Sequence, residues 1–243
     1  AEPSTIAEEI ALFDHFWGSR FRLSVRFTSN FPTRRRAAYP REEFRLLSML
    51  NRAEVTRALG AIPCASERTS VEADLHRLLD LVVRDATEWA AGKARWDETR
   101  ENPRALYVFG HCDGTALYLH EDGATDGSLS VADFVTDWQD GSGPPTVVFF
   151  NGCRSAAGSG YLSFLQNSWQ SGFRGCIATE ARIPNAFALK YGVRFMERVC
   201  FGGASVGEVF DDLRGSPSLF PLSLLYGCYA DTEFRVEPAL ANA

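Results

Sequence analysis

The chain has 243 residues, 45% of them hydrophobic and 23% charged, enough to bury the core of one large domain or of a domain with an N-terminal elaboration. A net charge of −6 argues against a nucleic-acid-binding surface, so Arg34, Arg35 and Arg36 read as a solvated loop. Six scattered cysteines with no Cys-x-x-Cys pair exclude a disulfide framework, and free thiols with no signal peptide or membrane-length apolar run predict a soluble, cytoplasmic domain.

Ala1 in place of Met is expected of a processed chain or a piece of a longer protein. Ile10, Leu12, Phe13, Phe16 and Trp17 form a short helical pattern, and Phe21 to Thr28 alternates apolar with polar, predicting a strand with one wet face. Pro32, Pro40 and the arginine run mark a loop. Glu42 to Leu59 is expected to be a helix ending at Gly60. Thr69-Ser-Val-Glu72 is a capping box, so a helix should open there, with Leu75, Leu78, Leu79, Val82, Ala86 and Trp89 as its buried stripe. The charged residues 91–104, with Pro103, suit an exposed connection.

Ala105–Phe109 reads as a buried strand leading to His111, and Thr115–Leu119 with Leu129–Val131 as a hairpin around the turn-rich residues 121–127. Gly and Pro break the chain at 140–145, before a second buried strand, Thr146–Phe150, that leads to Cys153. Small residues from Ser155 to Gly160 turn into a helix at Tyr161–Ser171. A strand at Phe173–Thr179, a helix at Ala186–Cys200 capped by Asn185, a helix from the capping box Ser205-Val-Gly-Glu208 to Leu213, and a strand at Thr232–Val236 complete the pattern. Alternating strands and helices with short connections predict an α/β fold with a mostly parallel sheet covered on both faces.

Two neighbouring parallel strands would carry His111 and Cys153 to the same carboxyl edge, where such folds place their sites. A lone cysteine is ordinarily a buried small hydrophobe, as expected for Cys176 and Cys200, and a lone histidine at a strand end is ordinarily a satisfied polar group. Together they form a base and nucleophile pair. A helix starting after Cys153 would favour its thiolate and supply free backbone N–H groups, and Gly152 would let the backbone approach a substrate. His111 precedes Cys153 by 42 positions; caspases place their histidine about 50 before the cysteine.

Three other patterns are weaker. Gly203-Ala-Ser-Val-Gly207 matches the serine-hydrolase elbow, but a helix precedes it where a strand is required, so Ser205 reads as a cap. His111, Cys112 and Asp113 have no second cluster at metal-ligand spacing, and Gly158-Ser-Gly160 lacks the lysine of a phosphate loop.

Residues 105–236 resemble the CHAT domains of the caspase–separase superfamily of cysteine peptidases. The likeness runs through the strand into His111, the acidic and Gly-rich hairpin, Val147-Val-Phe-Phe-Asn-Gly-Cys-Arg-Ser-Ala-Ala-Gly158, Gly172-Phe-Arg-Gly-Cys-Ile-Ala-Thr179, Gly203-Ala-Ser-Val-Gly-Glu208 and the closing Leu225–Val236. It implies a caspase-like three-layer sandwich, with residues 1–104 completing the sheet and helices, 105–236 as the catalytic core and 237–243 as a tail.

The resemblance also implies a cysteine endopeptidase with His111 as base and Cys153 as nucleophile. An oxyanion would be held by the N–H groups of Cys112 and Cys153 beside Gly152, and neither metal nor organic cofactor would be needed. The expected partners are a protein substrate and a regulatory sensor or fused domain, in a bacterial defence or stress pathway. Two departures stand out: Cys112 occupies the position after the histidine where the family has Gly, and Glu180-Ala-Arg-Ile-Pro-Asn185 replaces an apolar-then-acidic segment. Glu180 or Asp113 would bind a basic side chain, which predicts cleavage after Arg or Lys. A non-cutting scaffold and a cysteine transamidase, which uses the same pair with an amine in place of water, remain the alternatives.

Overall fold

The computed structural model describes residues 38–80, 83–86, 89–120, 127–138, 146–156, 164–170, 173 and 175–237. The expected helical pattern near Phe13 and the strand at Phe21–Thr28 lie outside these residues.

Strands β2 (Arg45–Leu50), β3 (Val83–Ala86), β4 (Arg104–Phe109), β8 (Thr146–Asn151), β9 (Cys176–Thr179) and β10 (Tyr226–Cys228) form the central sheet in the order β10-β9-β8-β4-β2-β3. All its pairs are parallel except β10 on β9. A second, antiparallel sheet joins β5 (His111–Cys112), β6 (Ala116–Tyr118) and β7 (Ser128–Ser130). β1 (Ala38–Pro40) pairs in parallel with β11 (Arg235–Glu237).

β4 and β8 are buried along their whole length, as β-branched and aromatic runs inside a parallel sheet should be. Alternate residues feed two cores. Ala105, Tyr107, Phe109, Val147 and Phe149 pack with α1 (Arg52–Gly60), α2 (Ala65–Asp80), α6 (Asn185–Phe201) and α7 (Val206–Arg214). Leu106, Val108, Val148 and Phe150 pack on the opposite face with α3 (Trp89–Glu98), α4 (Val131–Asp137), α5 (Phe164–Gln170) and the hairpin. The result is the expected three-layer α/β arrangement.

Several elements depart from expectation. Glu42–Leu59 is not one helix. Arg45-Leu-Leu-Ser-Met-Leu50 forms β2 in full register with β4, and the helix starts only after Asn51. Leu, Met and Arg favour helix, but burial between two neighbouring strands overrides that preference. The helix near Thr69 opens earlier, at Ala65, and the Thr69 hydroxyl donates to the Ala65 carbonyl from inside it. The proposed stripe is split: Leu75 and Leu78 are in α2, Ala86 is in β3, and Trp89 opens α3.

Residues 91–98, expected in an exposed connection, belong to α3, which buries Trp89, Gly92 and Trp96. Its charged outer face, with Lys93 paired to Asp97, hid this pattern. Ser130 and Asp133 form an unanticipated capping box that opens α4. Asn185 is the first residue of α6 rather than its side-chain cap, and its amide is engaged elsewhere. The closing segment Leu225–Val236, likened to a single strand, holds two: β10, in the main sheet, and β11, which is shorter than the expected Thr232–Val236 and lies outside that sheet.

Candidate active site

Phe109 and Asn151 are register partners at the ends of adjacent parallel strands, so His111 and Cys153 stand at equivalent positions two residues beyond. Both side chains line one cleft with Glu54, Phe109, Gly110, Asn151, Gly152, Thr179, Ile183, Asn185 and Ala188. It has room for about one water molecule. His111 is exposed, and Cys153 is half-buried.

The turn that presents Cys153 is fixed from beneath. Ser155 Oγ donates to Phe150 O (2.7 Å) and accepts from Thr179 N–H (3.0 Å), tying the end of β8 to β9. The Thr179 hydroxyl donates to the Gly152 carbonyl, which fixes the plane of the peptide leading into Cys153. Asn151 is buried below, donating to Tyr107 OH (3.1 Å) and Ala188 O (2.8 Å) and accepting from Tyr226 OH (2.7 Å). Arg154 follows with φ of 58°, a left-handed conformation that carries strain outside glycine. Its side chain is exposed.

A turn over 153–156 overlaps the turn expected from Ser155 to Gly160, and the helix expected at Tyr161–Ser171 is described over Phe164–Gln170. The N–H groups of Arg154, Ser155 and Ala156 donate to Ala181 O, Gly152 O and Thr179 O, at 3.0, 3.3 and 2.9 Å. They are therefore not free for an anion. Instead, Ile183 N–H donates to Cys153 Sγ and the thiol faces Ile183 O, each at 3.5 Å.

Gly110 and Gly152 allow the two strand ends to approach. A Cβ on Gly110 would stand 2.5 Å from Tyr118 O; one on Gly152 would stand 2.8 Å from both Cys112 Cβ and Gly110 O. Cys112 fits the position that the resemblance gives to glycine because its side chain is buried in the core on the hairpin side of the sheet, across from Leu117. Burial pushes its thiol up to about 12, and Gly114 N–H donates to its sulfur at 3.4 Å. The tight turn that pairs Asp113 N–H with Ala116 O (3.3 Å) makes Cys112 and Leu117 a non-hydrogen-bonded pair, so the Cys112 N–H points away from β6.

No side chain among the described residues hydrogen-bonds the His111 ring, which lies 5.8 Å from the Tyr118 ring between centroids. Tyr118 OH donates to Asp113 Oδ2 (3.0 Å), while Oδ1 accepts from Thr115 N–H, Thr115 Oγ and Ala116 N–H at 2.8, 2.7 and 3.0 Å. Desolvation raises the Asp113 carboxyl, but these hydrogen bonds outweigh it and hold it at about 2. Asp113 lines a neighbouring groove of about 360 Å³ with Asn51, Glu54, Arg57, His111, Tyr118 and His120.

Glu180 lines neither cavity. It is exposed, accepts from Tyr229 OH, and is raised by desolvation. The acid that does line both cavities is Glu54, which sequence reasoning missed because its segment was assigned to a continuous helix. A signal was present: Asn51 caps α1 and accepts from Glu54 N–H (3.0 Å), so Asn51-Arg-Ala-Glu54 spells a helix start immediately after a strand.

Ser205 caps α7 as expected, accepting from Glu208 N–H at 3.3 Å. Among the described residues, no group of three His, Cys, Asp or Glu is placed to hold a metal, and no helix is long and apolar enough to cross a membrane.

No protein-family model and no curated protein sequence matches the chain. Solved structures do. It is similar to separase in the Saccharomyces cerevisiae separase–securin complex at 2.6 Å, with a TM-score of 0.51 and 11% identity over 85% of this chain and 13% of that one. The same complex at 3.0 Å gives a TM-score of 0.48 and 13% identity, over 84% of this chain and 12% of that one. The chain thus spans about an eighth of the length of the separases it matches, and what it shares with them is a caspase-like α/β fold.

Proposed function

We propose that the chain is a caspase-like cysteine endopeptidase in which His111 and Cys153 act as one unit. The observation that carries this reading is their placement at equivalent ends of adjacent parallel strands, lining one cleft. The separase-like fold supports it at the level of architecture.

His111 takes the proton from Cys153, and the thiolate attacks the scissile carbonyl carbon. The resulting oxyanion accepts hydrogen bonds from the N–H groups of Cys153 and Cys112; the former belongs to a peptide fixed through Gly152 O, and the latter points away from β6. Protonated His111 then gives its proton to the leaving amine as the C–N bond breaks, leaving a thioester. Water, deprotonated by His111, cleaves the thioester and restores the thiol. An amine in place of water would give transamidation from the same intermediate.

The reading extends to cleavage after a basic residue, in keeping with the carboxylates that line the two cavities. The ordered motif series from His111 to Val236 supports a CHAT-type module, held in check by a sensor or fused domain in a bacterial defence or stress pathway and acting in the cytoplasm. A second reading, a scaffold that binds a protein without cutting it, is favoured by one feature: the Cys153 thiol is engaged by Ile183 beside a cleft with room for about one water.

Incubation with a peptide library and mapping of the products by mass spectrometry separates the two. The peptidase reading expects new termini that follow Arg or Lys; a library that stays intact under all conditions supports the scaffold.

A further inference from the structure

Three acids stand near the strand ends that carry the proposed dyad: Glu54, Asp113 and Glu180. They differ in where their carboxylates stand and in which groups hold them. Glu180 sits outside both cavities and accepts from Tyr229 OH. Asp113 directs both oxygens into its own hairpin, with three donors on Oδ1 and Tyr118 OH on Oδ2.

Glu54 alone among the described acids lines both the cleft at Cys153 and the adjoining groove. Its side chain is 12% exposed. Oε2 accepts from Asn185 Nδ2 across the cleft, and Oε1 pairs with Arg57 Nη1 at 3.0 Å. Arg57 is 56% exposed, so a guanidinium already meets this carboxylate from the groove side in a pair that solvent screens.

We infer that Glu54 is the specificity-determining acid of the site, which receives a guanidinium or ammonium side chain of a substrate in exchange for Arg57. The inference rests on the peptidase reading for the identity of the substrate and deepens it by naming the residue that reads it. Three consecutive strand ends then divide the labour. The first turn of α1, just after β2, supplies recognition through Glu54, the end of β4 the base, and the end of β8 the nucleophile. A mostly buried carboxylate bound to one planar cation favours another of the same shape, and a neutral side chain that displaced Arg57 would leave it without a counter-charge.

The test is the second-order rate at which Ala-Ala-Arg chloromethyl ketone and its norleucine counterpart alkylate Cys153, read by mass spectrometry. The arginine reagent should react at least tenfold faster. Glu54→Gln should bring the ratio close to one, while Glu180→Gln leaves it unchanged. Arg57→Ala should raise the ratio, because it removes the internal competitor. A purely structural role for Glu54 gives no such opposite response.

Equal rates for the two reagents on the native chain, or an unchanged ratio in Glu54→Gln, would overturn the inference while leaving the nucleophile assignment intact. Failure of both reagents to label Cys153 would overturn the inference and the peptidase reading together.

Discussion

At the residue scale, Asp113 shows how a sequence-level candidate can be re-read. Next to the proposed base, it suggested a partner for a basic substrate, yet its oxygens close the turn at Gly114 and orient Tyr118 against His111. Its folded value of about 2 lies below the ordinary value of 3.8. A depressed carboxyl adds stability that is fully present above the unfolded value and is lost as pH falls through the folded one. Asp113→Asn should therefore lower stability by about 1 kcal/mol near pH 6, a figure already reduced for the exposure of the group. The difference from the native chain should shrink as pH drops from about 4 to about 2. Thermal unfolding followed across that range checks it; a gap that stays constant would mean the carboxylate is not what holds the turn.

At the scale of elements, the meeting of β4, β5 and β8 depends on the missing side chain of Gly152 and the buried one of Cys112, neither of which takes part in the reaction. Gly152→Ala would push a Cβ to 2.8 Å from both Cys112 Cβ and Gly110 O. Part of that contact is backbone, so the two strand ends must separate. Peptide cleavage should fall by at least 100-fold, with a loss of stability of about 1–3 kcal/mol. Cys112→Ala leaves the backbone N–H in place and removes only a buried sulfur, so it should keep most of the activity. Activity lost in Cys112→Ala at unchanged thermal stability would contradict the assignment of only its N–H to the site.

The elements also show where sequence was sufficient. β4 and β8 were legible because buried parallel strands are continuous apolar runs bounded by Gly and Pro, and the residues just past them could be placed without any contact being known. Ser205 was legible because a capping box is a local device. β2 was not, since Arg45-Leu-Leu-Ser-Met-Leu50 has the composition of a helix and becomes a strand only by pairing with β4 and β3. That single misreading hid Glu54, whose place beside the site follows from the helix starting at Arg52 rather than running through it. Glu180 shows the opposite limit: its position after β9 is legible, but that its side chain meets Tyr229, 49 residues away, rather than lining either described cavity is not.

At the scale of the whole molecule, a mostly parallel sheet with a separate core on each face leaves its carboxyl edge as the place where polar residues converge. Similarity to separase fixes the architecture and is silent on turnover, since the aligned part of this chain is 11% identical. The central claim is that His111 and Cys153 form one catalytic unit. It is tested most directly by the initial rate of peptide cleavage in the native chain, Cys153→Ala, His111→Ala and the double variant, with folding of each verified by thermal unfolding. Both single variants should lose essentially all activity and the double variant should be no worse, because neither group works without the other. Cleavage that persists in a folded Cys153→Ala protein would contradict the claim.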